Sequence, residues 1–477
     1  MNNPVKTALS GARRRPLAAS VATLFALAAP QAFAATWHVT SCADSGAGSL
    51  RSIIVNNASS GDTVDFSQLN PTNCPSSTIS LTTGAITIGE KLTLAGPLPP
   101  NRRITISGYY NGAYQNDRLI NHTMPSSTLY VNNLNFEYSK FSPAAGDAKG
   151  GCIYSAGSVN LDNVLLFHCQ ASSSASGTHA KGGGVYAQGN LTMKYSRITG
   201  NSVAPMAGAF APAGGGVYVG GILSASYSTI DDNNAQFGNG GGIFVAESSS
   251  STTISSSTIS GNTAGSAAGV FVTGANLTVT NSTISGNHSS GYMGGLATAS
   301  HSTTIQNSTI AFNTAANATP DNGPGMYIFG ATAAALTVNL QSSILSNNTY
   351  GTTENDFGAR NAGGGGFSIT SNNNLIRAAP GSIRPATVST ACPLLGPLRD
   401  NGGPTLTHAL LSFSPAIDTG NNNANLNEDQ RGRPFVDPNN PYPYSRQSGI
   451  APDIGSYEAQ QADIIFNTSF EGCPALF

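Results

Sequence analysis

Certain apolar and polar residues of this chain recur together, at intervals of 25 to 34 residues. Six isoleucines are each followed three residues later by asparagine, and successive pairs lie 32, 29, 25, 26 and 34 residues apart. These pairs are Ile198/Asn201, Ile230/Asn233, Ile259/Asn262, Ile284/Asn287, Ile310/Asn313 and Ile344/Asn347. Leu134 and Leu166 extend the series backwards, with Glu137 and Cys169 in place of the asparagine. A repeat of this period predicts a stacked architecture.

A second series of glycine, an apolar residue and an aromatic residue runs beside the first at matching intervals. Its clearest members are Gly184-Val185-Tyr186, Gly216-Val217-Tyr218, Gly242-Ile243-Phe244 and Gly269-Val270-Phe271. Between the two series lie short alternating runs such as Leu191-Thr192-Met193 and Leu277-Thr278-Val279. Alternation at period two is typical of strands, and three short strands per repeat would fill the observed spacing. The sequence therefore predicts an all-β fold, a right-handed single-stranded parallel β-helix.

The apolar members of the second series should stack inside the tube, as should the isoleucines. The asparagines should stack at a tight bend, since asparagine tolerates left-handed backbone and its amide can bond to the next coil. The aromatic members follow one position later: Tyr154, Tyr186, Tyr218, Phe244 and Phe271. If they point outward, they form a stripe that could stack on sugar rings or pack under a loop. The opposite assignment, with aromatics inside, stays open.

Composition supports this fold and narrows the range of partners. Only 9% of residues are charged and Gly numbers 55, whereas solvated helices need long charged side chains. A net charge of −2 provides no basic patch, so we expect no nucleic-acid partner.

The first residues predict an export signal. Arg13 to Arg15 are followed by the apolar run Leu17 to Ala29 and by Ala32-Phe33-Ala34, which fits a signal peptide cleaved after Ala34. This run is too short for a membrane span, and no later run is longer. We expect a secreted bacterial protein, extracellular or on the outer cell surface, without a transmembrane span.

Six cysteines remain in the exported chain, an even number that indicates disulfides. Many connectivities are open, and the nearest-neighbour pairing is Cys42–Cys74, Cys152–Cys169 and Cys392–Cys473. No Cys/His spacing indicates a zinc site.

Both ends of the chain carry short motifs. Gly48-Ser49-Leu50-Arg51 and Gly61-Asp62-Thr63 resemble the N-terminal segment of bacterial CSLREA-type and polymorphic-outer-membrane-protein-like β-helix proteins. The segments Ser414 to Gly420, Asp429 to Pro434 and Asp453 to Glu458 resemble the closing region of choice-of-anchor Q domain proteins. The resemblance implies a secreted or surface β-helix, in families mostly without an assigned activity. Leu50 to Ala58 should form a short helix that caps the tube.

The predicted organisation has five segments. They are a signal peptide (1–34), an N-terminal cap with the first coils (35–130), regular coils (131–350), the last coils with a C-terminal cap (351–460) and a tag-like segment (461–477).

Candidate catalytic residues are few. The predicted fold resembles that of pectin-cleaving lyases, which need acids for Ca²⁺ and an Arg or Lys base. Asp231 and Asp232 could provide an acid and a base for hydrolysis. The simpler interpretation, which we prefer, is that they are turn residues beside the asparagines.

The densest charge lies near the C-terminus. Asp418, Asp429 and Asp453 could bind Ca²⁺, or they could form a catalytic group together with Glu458, Arg431 and Arg433. The alternative, which we favour, is an ion-pair network that locks the cap, with Arg431 bidentate to an acid.

These observations favour a non-catalytic monomer without a cofactor, used for adhesion or for binding extracellular polysaccharide or a host or cell-surface glycan. The alternative is a polysaccharide lyase or glycoside hydrolase that acts on uronic-acid polymers, with Ca²⁺ as its cofactor.

Overall fold

Short parallel strands stack coil upon coil along the chain in a computed structural model, which confirms the predicted β-helix. The structure describes residues 34–98, 102–173, 175–205, 211–246, 251–274, 276–317, 319–387, 389–432 and 444–460. The predicted signal peptide (except Ala34), Cys473, Arg433 and the segment 461–477 lie outside these ranges. Of the residues that the structure describes, no helix has both the length and the apolar character that crossing a membrane requires.

Sheet 1 contains twelve parallel strands of the described chain. They are Thr36–His38, Thr63–Asp65, Thr93–Ala95, Thr128–Asn132, Ser158–Asp162, Leu191–Lys194, Leu223–Ser226, Ser251–Ser255, Asn276–Thr280, Ser302–Gln306, Leu336–Gln341 and Phe367–Asn372. The alternating runs Leu191-Thr192-Met193 and Leu277-Thr278-Val279 lie in this sheet with their apolar residues buried.

Sheet 3 contains ten described strands, and it decides which series faces inward. The strands are Ile86–Ile88, Ile120–His122, Ile153–Ser155, Val185–Ala187, Val217–Val219, Ile243–Val245, Val270–Val272, Leu296–Thr298, Met326–Gly330 and Phe357–Asn361. Val185 pairs with Val217, and both are fully buried in the main core. Since neighbouring residues on a strand point to opposite faces, the aromatic series lies on the outside of the tube.

Sheet 2 bends in the middle of each coil. Its first half comprises Thr78–Ser80, Ile104–Ser107, Leu134–Phe141, Leu165–Ser172, Arg197–Thr199, Thr229–Asp231, Thr258–Ser260, Thr283–Ser285, Thr309–Ala311, Ile344–Ser346 and Leu375–Ile376. Leu134–Phe141 and Leu165–Ser172 continue through the bend, and later coils resume at Ser202–Ala204, Asn234–Asn239, Thr263–Ser266, His288–Ser289, Thr314–Ala315 and Thr349–Tyr350. Thr353–Glu354 pairs with the last of these strands in antiparallel orientation.

One residue of left-handed backbone makes each bend. These residues, here called the bend column, are Tyr138, His168, Gly200, Asp232, Gly261, Gly286, Phe312 and Asn347. Their φ values lie between 53° and 66°, a region that residues other than glycine, asparagine and aspartate seldom occupy.

The asparagine that follows the bend is buried and bonds to the next coil. Asn233 Oδ1, for example, accepts hydrogen bonds from Asn201 N at 3.0 Å and from Asn201 Nδ2 at 2.9 Å. The column continues through Asn262, Asn287 and Asn313. It satisfies polar groups that would be costly to bury alone.

The predicted series departs from the structure at its two ends. Ile310 pairs with Leu345 and not with Ile344, so the asparagine column passes through Asn348. The predicted position of Asn347 in the column is therefore wrong. Leu166 pairs with Phe136, two residues after the expected Leu134. In both places a neighbouring apolar residue offers a second alignment that the pattern cannot distinguish.

The first coil is closed by a helix, Leu50–Asn56, which ends two residues before the predicted boundary. Ser49 Oγ caps its N-terminus by accepting a hydrogen bond from Ser52 N, and Leu50 and Ile53 are buried in the core. The predicted disulfides Cys42–Cys74 and Cys152–Cys169 are confirmed. The third predicted pair includes Cys473, outside the described residues.

After the last coil, the chain folds back along the outside of sheet 2. This C-terminal segment, described over 389–432 and 444–460, contains an antiparallel pair formed by Leu395–Arg399 and Thr407–Leu410. Thr258 Oγ1 donates a hydrogen bond to Leu406 O at 2.6 Å, and Thr283 Oγ1 bonds to Gln430 at 2.6 Å. The outer face of sheet 2 is therefore covered on these coils and on those beyond them.

Candidate functional site

Asp231 and Asp232 lie on the same coil but in different surroundings. Asp231 is buried on the strand of sheet 2, and Arg197 binds both of its oxygens, with Nε–Oδ1 at 3.0 Å and Nη2–Oδ2 at 2.5 Å. Asp232 is exposed in the bend column, where its φ is 55°. Because the bidentate contact occupies the Asp231 carboxylate, Asp232 is the acid of the pair that remains accessible.

Asp232 lines a groove of about 430 Å³ on the outer face of sheet 2. The other side chains of its lining come from the three preceding coils and include Glu137, Phe167, His168 and Arg197. This outer face carries charged and aromatic groups, in contrast with the short Ser and Thr side chains of the later coils. We call this region the groove.

Gly200 gives the groove its shape. A Cβ added to Gly200 would lie 2.6 Å from Cδ2 of His168, so the imidazole occupies space that any other residue would fill. Gly261 has the same role on the coil after Asp232, whose Oδ1 lies 2.5 Å from the corresponding Cβ position. The side chains of His168 and Asp232 therefore extend along the tube axis towards the next coil.

Burial sets the charge of the groove. It raises the pKa of the Glu137 carboxyl above its ordinary value. The partial enclosure of the otherwise exposed Asp232 also raises its pKa, and the neighbouring Asp231 carboxylate adds to that rise while Arg197 opposes it. The hydrogen bond to Asp231 raises the pKa of Arg197. The groove thus presents two carboxyls that ionise less readily than free acids, beside a charged arginine that is paired with Asp231.

A cluster of aromatic rings lies beside the groove. A hairpin, Tyr109–Tyr110 paired with Ala113–Tyr114, projects from the coil that precedes Glu137. The ring of Tyr138 packs 5.9 Å from Tyr109 and 6.3 Å from Tyr114. On its other side it packs 5.4 Å from Phe167, which is 4.0 Å from His168.

These rings are accessible as well as clustered. Tyr109, Tyr110 and Tyr114 of the hairpin are 41%, 48% and 49% exposed. Tyr114 also lines a second cavity of about 290 Å³, together with Lys140, His168 and Gly200. We call the hairpin tyrosines, Tyr138, Phe167 and His168 the aromatic platform, since they form one continuous surface with the groove.

The predicted aromatic stripe exists on the outer face of sheet 3 but is largely covered. The rings of Tyr186 and Tyr218 stack at 4.9 Å, and both side chains are buried. Lys149 and Lys181 lie over them, each Nζ 5.5 Å from a ring centre. Tyr154, Phe244 and Phe271 are half-buried in the same row. A ligand would have to displace the lysines to stack on Tyr186 or Tyr218.

The C-terminal acids form a buried network with two arginines. Asp429 binds Arg431 through Nε at 2.9 Å and Nη2 at 2.7 Å, and both residues are fully buried. Glu458 lies 3.5 Å from Arg446, a partner that the sequence motifs do not include. Burial raises the pKa of Glu458 to about 8, and it raises that of Asp453.

Several carboxylates of this network accept backbone N–H groups. Asp453 Oδ1 accepts from Asp418 N at 2.8 Å, and Asp418 Oδ1 accepts from Ala451 N at 3.3 Å. Within the described ranges, no three His, Cys, Asp or Glu side chains converge in a way that could hold a metal ion. Ca²⁺ binding by Asp418, Asp429 and Asp453 stays a prediction.

The sequence analysis missed the aromatic platform, although one signal was present. Asn111-Gly112 flanked by tyrosines is the pattern of a two-residue hairpin, and both residues have positive φ. In the sequence, Glu137 is recognisable only as a residue that replaces an asparagine of the repeat. The position of Glu137 and His168 in the groove depends on the exact alignment of the coils, which the pattern misplaces by two residues at Leu134.

Comparison with known proteins gives one family. Two overlapping matches to the family described as a right-handed β-helix region cover residues 120–310 and 216–379, together more than half of the chain. The first of these includes the lining of the groove from Glu137 to Asp232. No curated protein and no solved structure gave a significant match.

Proposed function

Since the chain belongs to the right-handed β-helix family, we propose that it uses the outer face of the helix to bind polysaccharide. The observation that carries this proposal is the aromatic platform, which continues into the groove lined by Glu137, His168 and Asp232. Exposed rings offer flat apolar faces to sugar rings, and the adjacent polar groups can bond to hydroxyls.

The clustering of the rings supports a binding role. A soluble surface seldom leaves several large aromatic side chains together unless they meet a partner. The rings of Tyr109 and Tyr114 contact each other at 5.3 Å, and the ring of Tyr109 also packs on Tyr138. These contacts hold the rings of the hairpin in fixed positions. A surface ordered in advance binds without the entropy cost of ordering it.

Hydrolysis is a second candidate, because Glu137 and Asp232 both have a raised pKa and face one groove. Their separation argues against a pair. Three coil steps separate them, about 14 Å at ~4.8 Å a step. An inverting glycosidase places its carboxyls roughly 6.5–9.5 Å apart, and Asp232 leans away from Glu137. Binding without cleavage is therefore the function we favour.

Export belongs to the same proposal. The Cys42–Cys74 and Cys152–Cys169 disulfides are typical of oxidising compartments outside the cytoplasm. A secreted or surface-attached protein would meet the glycans of its own cell or of a host.

Titration calorimetry against soluble neutral and acidic polysaccharides tests the proposal. We expect the chain from residue 35 onward to bind at least one glycan, and Tyr109→Ser with Tyr114→Ser to weaken binding by about tenfold or more. Tyr292→Ser is the matched control, because Tyr292 is similarly exposed, at 44%, but lies outside the platform. Equal losses in both variants, or no binding to any glycan, would contradict the proposal.

The same samples distinguish binding from cleavage. New reducing ends or unsaturated products, measured with and without Ca²⁺, would favour an enzyme. If Asp232→Asn or Glu137→Gln abolished them, the active site would lie in the groove. We expect no products, and we expect both variants to retain their fold.

A further inference from the structure

Resting on the proposed function, we propose that the groove is closed at both ends and accepts the terminal oligosaccharide of a glycan, not the interior of a long chain. Two separate regions of the molecule form the closing walls. One is the tyrosine hairpin, and the other belongs to the C-terminal segment.

The hairpin closes the side of the early coils. The strand Ile104–Ser107 pairs with Leu134–Phe141, and the next residue, Gly108, donates its N–H to Glu137 O at 3.1 Å. Later coils continue around the tube from this bend, but here the chain leaves the surface as Tyr109–Tyr114. Gln115 N donates to Gly108 O at 2.8 Å, which closes the base of the hairpin. The hairpin therefore stands outward where the groove would otherwise continue.

The C-terminal segment closes the opposite side. Asp400, Gly403 and Leu406 lie against Arg197 and Thr229 around a cavity of about 180 Å³. On the following coil Thr258 is bonded to Leu406, as described above. One coil further, His408 Nε2 lies 2.8 Å from Ser285 Oγ. On the coils that follow that of Asp232, a glycan lying along the groove would meet this wall at Thr258 and Ser285.

The open length between the walls is short. It covers the coils of Glu137, His168, Gly200 and Asp232, three steps that amount to about 14 Å. That length suits a few sugar units. A continuous polymer would have to leave the groove over a wall at each side and would lose contact with the platform or with Asp232.

The stoichiometry of binding tests this proposal on a glycan that the wild-type chain binds. Titration with oligosaccharides of increasing length should show affinity that rises over the first few units and then stays constant. With the intact polymer, we expect about one protein molecule per chain end, whatever the polymer length. Many molecules per chain, in proportion to its mass, would overturn the closed groove but leave polysaccharide binding intact.

Removal of one wall provides the complementary test. Replacing Tyr109–Tyr114 by Asn-Gly opens one end of the groove, so affinity should go on rising at oligosaccharide lengths where that of the wild-type chain is constant, although affinity for the shortest oligosaccharides should fall. The C-terminal wall remains, so this variant should still bind a polymer only at chain ends. The matched control keeps the wall and removes its rings (Tyr109→Ser, Tyr110→Ser and Tyr114→Ser), and its affinity should become constant at the wild-type length. If the affinity of the shortened variant became constant at that length too, the hairpin would not be a wall. If the wild-type chain bound no glycan, the proposed function itself would fail.

Discussion

Asn348 donates two hydrogen bonds to Oδ1 of Asp356, from its backbone N at 3.0 Å and from Nδ2 at 2.7 Å. Asp356 thus ends the asparagine column with a carboxylate, whose Oδ2 accepts Ala378 N at 2.8 Å. An amide here would direct an N–H group towards one of these donors. Burial and the nearby Glu354 raise the pKa of Asp356, while the hydrogen bonds from Asn348 and Ala378 oppose that rise and favour the ionised form. The last donors of the column are therefore satisfied inside the protein.

Substitution of Asn348 tests which asparagine belongs to the column. Asn348→Ala removes the acceptor of Asn313 N, which is left buried and unpaired, and it removes one of the acceptors of Asn313 Nδ2. We expect it to lower the free energy of unfolding by about 2–4 kcal/mol. Asn347→Gly should cost less, about 1 kcal/mol, since glycine suits the φ of 59° there and offsets part of the loss of the hydrogen bonds with Arg377 and Ser346. Urea denaturation measures both, and equal losses would contradict the assignment.

The general fold could be predicted because the residues that face the core recur at similar intervals along the sequence. Ile198, Ile230 and Ile259 pair with one another as their spacing requires, and Asn201 and Asn233 lie in the buried column. The outer face obeys no such repeat. The groove depends on residues that interrupt the pattern, such as His168 and Asp232 in the bend column, and on a hairpin inserted into one coil.

The C-terminal segment shows a second limit of the sequence analysis. The motif predicts that Arg431 pairs with an acid, which the structure identifies as Asp429, but no pattern in the chain predicts contact with Thr258 or Ser285. That contact arises because the chain reverses after the last coil, at a distance of more than a hundred residues along the sequence. Local spacing carries no information on such a reversal.

Gly200 should tolerate a side chain poorly for a reason that concerns the groove. Gly200→Ala places a Cβ in the space of the His168 ring and imposes a φ of 66° on alanine. Gly286→Ala has the same φ, but its Cβ would have no neighbour closer than 3.9 Å. We expect both to lose about 1–2 kcal/mol of stability from the backbone.

Only Gly200→Ala should also reduce glycan affinity, by about tenfold, because it moves His168. Thermal unfolding and titration calorimetry on the two variants separate these effects. If Gly286→Ala weakened binding as much, the loss would reflect backbone strain and not the shape of the groove.

His408 should make the contact of the C-terminal segment sensitive to acid. Its Nδ1 lies 2.7 Å from Gly396 O, an acceptor, so Nδ1 carries the proton and Nε2 accepts from Ser285 Oγ. Burial lowers the pKa of His408 to about 4 from an ordinary value of 6.5. Its contribution to stability is therefore complete above pH 6.5 and is lost as the pH falls towards 4.

The loss should amount to roughly 3 kcal/mol at pH 4. His408→Gln cannot titrate, so the difference in unfolding free energy between pH 7 and pH 4 should be smaller for this variant by that amount. His288→Gln is the control, since His288 is exposed and bonds to Thr314 at the surface. An unchanged pH dependence in His408→Gln would show that another group governs the acid response.

Arg431 should hold the C-terminal segment on sheet 2. It binds Asp429, donates to Glu458 O at 2.7 Å and lies between the rings of Tyr444 and Tyr457, 4.1 and 3.9 Å from their centres. Arg431→Met leaves Asp429 buried without its partner, and we expect a loss of about 3–5 kcal/mol. Because the coils have their own core, the segment should detach first, and limited proteolysis should cut between residues 395 and 460 before it cuts the coils.

A second substitution distinguishes the buried charge from simple loss of packing. In Arg431→Met with Asp429→Asn, no uncompensated carboxylate remains, so the segment should resist protease better than in the single variant. Arg360→Met is the control for removal of an exposed arginine and should leave the pattern of fragments unchanged. If the double variant were cut as fast as Arg431→Met, the stacking of Arg431 between Tyr444 and Tyr457 would hold the segment, and the ion pair would contribute little.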